Sequence, residues 1–243
     1  MITEQKQQIS RRIIGIIGGM GPDATADLYR EIIQLTPAAE DQDHVPVLIY
    51  SNPQIPDRTR AILQGGEDPL PELIRTAKVL EKAGAGILIA PCNTAHYFLP
   101  RVQEHVTVPI LSMIEETCKA FLSRVPGGKV VGLLASTGTA RSGIYSTVFA
   151  RAHVSVLVPN EVEQGRVHSG IYDFVKAGKI GSEAQEIFES AGARLMKAGA
   201  QAVILGCTEI PLAFDEHKVG YPSLNPTRIL AQAAIDWALG KRG

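Results

Sequence analysis

The sequence lacks three features, and each absence excludes a class of protein. It has no basic excess, because 24 lysines and arginines oppose 25 aspartates and glutamates, so nucleic acid is not an expected partner. No apolar run approaches the roughly eighteen residues that cross a membrane, and the first twelve residues lack the apolar stretch of a secretion signal. We therefore predict a soluble, cytoplasmic protein with no nucleic-acid or membrane partner.

Cysteine is also scarce, with only Cys92, Cys118 and Cys207 among 243 residues. Three cysteines cannot build a disulfide framework, so reduced thiols are expected. No C-x-x-C pair is present, which disfavours both a zinc site and a redox dithiol. Cys118 lies in an apolar-periodic segment and is predicted to be a buried core residue.

The chain contains one sequence motif that occurs twice. Lys-Ala-Gly-Ala begins at Lys82 and again at Lys197, and a cysteine follows ten residues after each lysine. The apolar segment at 12–17 is echoed at 129–134. This pattern indicates an internal duplication of roughly one hundred residues. We predict an α/β fold of two similar doubly wound parallel-sheet domains related by a pseudo-twofold axis, the first spanning 1–113 plus 219–243 and the second 114–218.

Both repeated cysteines follow apolar runs that stop abruptly. Such runs are typical of buried parallel strands, and ligands gather at the carboxyl ends of these strands. Asn93 or Thr94 is expected to cap the helix after Cys92. Further strands are predicted at 13–17, 45–50, 108–112 and 154–158, and helices at 23–35, 71–83, 114–122, 183–197 and 227–239. The single tryptophan, Trp237, is interpreted as a packing residue.

Other candidate sites were weighed. Residues 19–24 fit a relaxed G-x-G-x-x-A pattern, but the second strand ends in Ser-Asn-Pro instead of the acidic residue that holds a ribose. In the proline-stiffened loop at 52–59, Arg58 could grip a carboxylate. The hydroxyl-rich turn at 136–139 is a candidate carboxylate cradle. His168, Tyr172 and Lys176 share the segment 162–179, where each alone is more typical of a surface.

Two thiols that face one cleft suit proton transfer on both faces of a single carbon. One cysteine as thiolate would remove the proton and the other would return it from the opposite side. A free thiol has a pKa of about 8.5, which helix amino termini and cations lower. Backbone N–H groups together with Asn93, Thr94, Thr137 and Thr208 could stabilise the carbanionic transition state. A Cys–His hydrolase would instead need an orienting histidine, for which His96, His105 and His168 are the candidates.

Five motifs together carry a family resemblance. They are GGMGP at 18–22, NPQIPDRT at 52–59, PCNTAH at 91–96, VKAG at 175–178 and GCTE at 206–209. With them the chain resembles the cofactor-independent aspartate/glutamate racemases, most closely the aspartate racemase branch. The resemblance implies a homodimer that needs no pyridoxal phosphate or other cofactor and no metal, and that acts on a small dicarboxylic amino acid.

The resemblance also implies a set of site residues. Cys92 and Cys207 would be the two acid/base residues, and Arg58 and Lys176 would bind the substrate carboxylates. The implied substrate-binding set is completed by Met20, Asn93, Thr94, Thr137, Thr208 and Glu209. Glutamate racemases usually have a histidine where this chain has Glu209, which favours aspartate over glutamate. A related carbon-acid enzyme, of the hydantoin racemase or arylmalonate decarboxylase type, and a non-catalytic binding module for small anions or amino acids remain as alternatives.

Overall fold

The computed structural model describes residues 12–216 and 218–242, which form two parallel sheets flanked by helices. The strands are β1 (Ile14–Gly18), β2 (Val47–Ser51), β3 (Ile87–Ile89), β4 (Val130–Leu134), β5 (Ser155–Leu157), β6 (Val203–Leu205) and β7 (Ser223–Leu224). The helices are α1 (Pro22–Leu35), α2 (Arg58–Gln64), α3 (Leu70–Lys82), α4 (Leu99–Gln103), α5 (Met113–Arg124), α6 (Thr137–Ser142), α7 (Ile144–Ala150), α8 (Glu161–Ser169), α9 (Ser182–Lys197) and α10 (Pro226–Ala238). Short 3-10 turns span Asp41–Asp43, Thr94–Tyr97 and Ile210–Leu212, and a π-helical turn spans Gly170–Val175.

The two sheets repeat one layout. The first has the order β2-β1-β3 and the second β5-β4-β6-β7, so in each half the first strand lies between the second and the third. Every pairing is parallel. The prediction of an α/β fold with two parallel sheets is confirmed, and the shared strand order is consistent with a duplicated architecture.

A glycine at the same place in each half leaves room for close packing against the first strand of its sheet. A Cβ on Gly15 of β1 would lie 2.7 Å from the side chains of Ala85 and Leu88, and one on Gly132 of β4 would lie 3.1 Å from Leu195. Any larger residue would push the helix or the neighbouring strand away. The repeated glycine of the sequence therefore has a packing cause.

One predicted strand differs in the structure, and one segment without a predicted element is helical. The segment 108–112 forms only one bridge, between Ile110 and Leu88, because Ser112 already caps α5 by accepting a hydrogen bond from the Glu115 amide. The segment 162–179 forms α8 and then the π-helical turn that ends at Val175.

The carboxyl-terminal segment contacts both halves. β7 pairs with β6 in the second sheet, although the sequence prediction placed 219–243 with the first domain. α10 packs against α1 and also against α5. Trp237 packs against the apolar cluster formed by β1, α1, β3 and α10, with the Arg12 guanidinium 4.9 Å from its ring centroid, which confirms its packing role. Otherwise the domain division stays a prediction, and residues 1–11, 217 and 243 of the predicted domains lie outside the described residues.

Within the described part of the chain, no helix combines the length and apolar character needed to cross a membrane.

Candidate active site

Both repeated cysteines lie just beyond the carboxyl end of a strand. Cys92 follows β3 and is 6% exposed, and Cys207 follows β6 and is 9% exposed. The third thiol, Cys118, is buried among apolar side chains of α5 and its neighbours, and this burial raises its pKa. The predicted separation of two strand-end thiols from one core thiol is therefore confirmed in position.

Arg58 lies beside Cys92. Its Nη1 donates to the carbonyls of Ile55 and Pro56 at 3.1 and 3.0 Å, and its Nη2 lies 3.5 Å from the Met20 carbonyl. Burial lowers the pKa of Arg58, but the neighbouring Cys92 and Asp57 outweigh it and the net pKa is raised. Its Nε is buried without a partner among the described residues. The loop at 52–59 thus holds the Arg58 guanidinium beside Cys92, with its Nε–H donor unused.

Asn93 is held by a residue of the other half. The Tyr145 hydroxyl of α7 donates to Asn93 Oδ1 at 2.6 Å, and Asn93 makes no side-chain capping bond to the turn that follows it. The capping prediction is therefore wrong: the tyrosine takes the Asn93 oxygen that would have served as cap, and Thr94 lies inside the turn. Asn93 is 2% exposed and its Nδ2 has no partner within the described residues. Together with Arg58, this leaves two buried donors for a ligand near Cys92.

The hydroxyl-rich turn bonds mainly within the protein. The Thr94 and Thr139 hydroxyls lie 2.7 Å apart, and Ser136 Oγ lies within 3.3 Å of both. Ser136 also caps α6. Thr137 is half-buried, and its amide donates to His168 Nδ1 at 3.4 Å. The Thr94 bonds join the two halves two residues after Cys92, while the predicted roles of Thr94 and Thr137 toward substrate stay predictions.

Cys207 lies against a carboxylate. Its Sγ donates to Glu209 Oε2 at 2.9 Å, and the Thr208 hydroxyl donates to the same oxygen at 3.2 Å. The other oxygen, Oε1, is 2.7 Å from Lys176 Nζ. Glu209 and Thr208 are both buried. One carboxylate therefore bridges the second thiol and the predicted carboxylate-binding lysine.

The protonation of this cluster follows from its charges. Burial, and secondly the Glu209 carboxylate, raise the pKa of Cys207 well above its usual value. Burial lowers the pKa of Lys176. The negative charges of Glu209, Cys207 and Cys92 raise it by more, so the net pKa is raised. Both cysteines thus act on Lys176. Two strand-end thiols, an arginine and a lysine therefore lie close together, with Cys92 and Arg58 from the first half and Cys207 and Lys176 from the second.

The comparisons with known proteins fit this geometry. The profile described as Asp/Glu/Hydantoin racemase matches residues 17–234. The chain belongs to the Asp/Glu/hydantoin racemase family. It is 32% identical to the aspartate racemase of Picrophilus torridus, with a TM-score of 0.82, over 93% of this chain and 94% of that one. It is 28% identical to an aspartate racemase homologue from Pyrococcus horikoshii, with a TM-score of 0.76, over 94% and 99% of the two chains. It is also 26% identical to the broad specificity amino-acid racemase RacX of Bacillus subtilis, over 92% of this chain and 96% of that protein.

In this family member, Tyr172 connects the two cationic residues. Its hydroxyl lies 3.3 Å from Asp57 Oδ2 and 3.3 Å from Thr59 Oγ1, on either side of Arg58. The Lys176 ammonium lies 5.4 Å from its ring centroid, a cation–π contact. Burial raises the pKa of Tyr172 to about 12. His168, Tyr172 and Lys176 were each predicted to be more typical of a surface, but His168 stacks on Tyr172 at 4.4 Å and Lys176 lies over the same ring, and their spacing of four could have indicated this shared face.

Both ring nitrogens of His96 are hydrogen-bonded to the backbone. The Met113 amide donates to its Nε2 at 2.9 Å, so Nδ1 carries the proton and donates to the Cys92 carbonyl at 2.9 Å. Burial lowers the pKa of His96 to about 4. Both ring nitrogens are used by the backbone, which removes support for a Cys–His hydrolase built on this residue.

The glycine-rich turn after β1 does not fit a dinucleotide site. The Gly19 amide, which a dinucleotide phosphate would need, donates to Thr25 Oγ1 at 2.9 Å. Gly19 has φ 93° and a Cβ there would lie 2.3 Å from the Asn52 backbone, so the glycine is needed for this close approach. Across 12–216 and 218–242, no group of three or more His, Cys, Asp or Glu side chains could hold a metal ion.

Proposed function

We propose that this family member racemises aspartate by two-base proton transfer between Cys92 and Cys207. The observation that carries the proposal is the meeting of two strand-end thiols with Arg58 and Lys176 in one cleft, where Lys176 is influenced by both cysteines. Cys118, the one cysteine outside this cleft, has no role in the proposal.

The reaction needs only protons to move. A thiolate on one side breaks the Cα–H bond and forms its own S–H bond, leaving the electron pair on Cα. The thiol on the other side then gives its proton to Cα and becomes the thiolate. Because an amino-acid Cα–H is a far weaker acid than a thiol, the site must stabilise the carbanionic transition state. Arg58 and the unpartnered Asn93 Nδ2 are placed to do so. No cofactor takes part in these steps.

The two cations support a dicarboxylic substrate. Arg58 can grip one carboxylate with its planar guanidinium. An ammonium has three donors, and Glu209 uses one of those on Lys176, so the lysine can hold Glu209 and a substrate carboxylate together. The 32% identical relative named as an aspartate racemase supports aspartate, and glutamate is proposed as a slower substrate. Contacts of Met20, Thr94, Thr137 and Thr208 with substrate belong to the same proposal.

Proton NMR in D2O tests the proposal directly. L- and D-aspartate are incubated separately with protein freed of metal and pyridoxal phosphate. We expect loss of the Cα proton signal from both enantiomers and the growth of the opposite enantiomer. Alanine, asparagine and a 5-substituted hydantoin serve as comparators and should exchange poorly.

The comparators distinguish the alternatives. Exchange of alanine at the rate of aspartate would contradict the assignment of Arg58 and Lys176 to two carboxylates. Faster exchange of the hydantoin would favour the related carbon-acid enzyme. Binding of aspartate without any exchange would favour the binding module. The homodimer and the cytoplasmic location are proposed with the function, and light scattering of the purified protein tests the first of them.

A further inference from the structure

The duplication allows the two cysteine turns to be compared position by position. Two residues after Cys92 stands Thr94, whose neutral hydroxyl bonds Thr139 across the two halves. Two residues after Cys207 stands Glu209, which accepts the hydrogen bond from the thiol itself. Equivalent places in the repeat therefore give one thiol a hydroxyl neighbour and the other a carboxylate neighbour.

The geometry at Cys207 fixes where the proton lies. Glu209 pairs with the Lys176 ammonium at 2.7 Å, and an ionised carboxylate can only accept hydrogen bonds. The 2.9 Å approach of Cys207 Sγ to Oε2 therefore requires the proton on sulfur. A thiolate at that distance would face a carboxylate in a buried site, and two like charges there repel strongly.

The environment of Cys92 is the opposite. The neighbour of its sulfur is a cation, the Arg58 guanidinium. The titratable groups that act on Cys207 are Glu209, Lys176, Tyr172 and Tyr145. Of these, Glu209 is the group that accepts a hydrogen bond from the thiol.

We propose that Glu209 keeps Cys207 protonated in the resting protein, so that each cycle starts with Cys92 as proton acceptor and Cys207 as proton donor. Glu209 is then a positioning residue that acts through Cys207. An enantiomer whose Cα–H faces Cys92 reacts from this state directly. The other enantiomer is inverted only after the S–H bond of Cys207 breaks, its proton passes to water, and Cys92 takes up a proton from water to serve as the donor. This kinetic consequence rests on the proposed function, whereas the protonation itself does not.

The first measurement follows ionisation without any substrate. The full chain is labelled with ¹³Cβ-cysteine, and the three signals are assigned with single Cys→Ala variants and titrated by NMR. We expect the midpoint of Cys207 to lie above that of Cys92. In Glu209→Gln, which keeps the shape but removes the charge, Lys176 is left unopposed, and the Cys207 midpoint should fall by about one pH unit or more, a tenfold gain in ionised fraction at fixed pH. The Cys92 midpoint should move by much less.

The second measurement uses an aspartate analogue with a good leaving group on Cβ, because elimination is irreversible and reports each thiol separately. In Glu209→Gln at pH 7, elimination from the enantiomer that faces Cys207 should rise at least about fivefold relative to the enantiomer that faces Cys92. The control is Glu116→Gln, which removes another buried, lysine-paired carboxylate, on α5. It should leave that ratio unchanged.

Several outcomes decide the inference. An unchanged or raised Cys207 midpoint in Glu209→Gln, or an equal fall of both elimination rates, would reduce Glu209 to a structural residue and overturn it. If Glu209→Gln does not fold, the wild-type titration still decides, since a Cys92 midpoint above that of Cys207 overturns it as well. A wild-type protein that neither exchanges nor racemises aspartate would refute the proposed function, while the NMR titration would still test the protonation.

Discussion

The two cysteine sites share their scaffold and differ in their charges. Each cysteine follows the third strand of its half, in a sheet whose first strand carries a close-packed glycine. Beside Cys92 lies the guanidinium of Arg58, whereas Cys207 donates to the carboxylate of Glu209. The comparison shows that a duplicated fold can place the same residue type at equivalent positions, while residues next to each copy give the two copies neighbours of opposite charge. The predictions below test whether the two sides are paired and different, from the largest expected effect to the smallest.

Replacing either cysteine should stop racemisation in both directions. A racemisation cycle in either direction uses one thiol to remove the proton and the other to return it, so Cys92→Ala and Cys207→Ala should each lower the rate at least about a thousandfold, as loss of an acid/base group does. Circular dichroism of aspartate solutions gives the rate. Cys118→Ala is the control and should keep the rate, since that thiol lies in the core. A large loss in Cys118→Ala would undermine the assignment.

Arg58→Lys should harm the Cys92 side although it keeps the charge. Lysine lacks the planar fork that donates to Ile55 and Pro56 and faces the thiol. The loss should be about 2 to 3 kcal/mol in transition-state stabilisation, or roughly 30- to 150-fold in kcat/KM. Arg60→Lys, on the exposed face of the same helix, is the matched control. Wild-type kcat/KM in Arg58→Lys would mean that the loop is only surface.

His96 makes the stability of the Cys92 side depend on pH, and Cys207 has no counterpart because Pro211 stands at the equivalent position. The folded pKa of about 4 lies below the usual 6.5, so the unfolded chain binds the extra proton and stability falls as pH decreases through this window. The loss attributable to His96 between pH 7 and pH 5 should be about 2 kcal/mol. Urea unfolding of wild type and His96→Asn at both pH values measures it.

The expected result is a smaller pH dependence in His96→Asn than in wild type, even though the variant is less stable at pH 7. His105→Asn, at an exposed histidine, should retain the wild-type dependence. Equal pH dependence in wild type and His96→Asn would show that the ring is not held neutral between the Cys92 carbonyl and α5.

Tyr172→Phe should lower activity only slightly, by weakening the contact of Tyr172 with the loop that carries Arg58. It removes two hydrogen bonds of 3.3 Å to Asp57 and Thr59, and such bonds contribute about 1 kcal/mol in net terms. We expect roughly a fivefold fall in kcat/KM for aspartate, mostly through KM, because the loop that carries Arg58 loses an anchor. Tyr29→Phe, at an exposed tyrosine of α1, should match wild type. An equal effect in both variants would show that the Tyr172 hydroxyl does not hold the loop that carries Arg58.

Sequence reasoning located the scaffold better than the contacts. The strand-end positions of Cys92 and Cys207 follow from apolar runs that stop at a turn, which is a local property of the chain. Arg58 could be singled out because prolines fix its loop. The bond from Tyr145 to Asn93 and the bond from Cys207 to Glu209 depend on tertiary packing and on rotamers, and no spacing encodes them.

Other differences have the same origin. The extended segment 108–112 has the composition of a strand, but the cap of α5 at Ser112 leaves it only one bridge. The short strand at Ser223–Leu224 pairs with the second sheet, while the helix that follows packs on both halves. Crossovers of this kind are set by which edge and which helix face remain uncovered, and this depends on the whole fold.

The most direct test of the paired-thiol account is the handedness of elimination in the two single-cysteine variants. Both enantiomers of 3-chloroaspartate are offered separately to Cys92→Ala and Cys207→Ala, and chloride release is followed. In Cys92→Ala only Cys207 remains, so elimination should occur from one enantiomer alone, and Cys207→Ala should eliminate from the other enantiomer alone. Elimination of the same enantiomer by both variants, or racemisation of aspartate near the wild-type rate by either one, would contradict a site in which one thiol serves each face of the substrate.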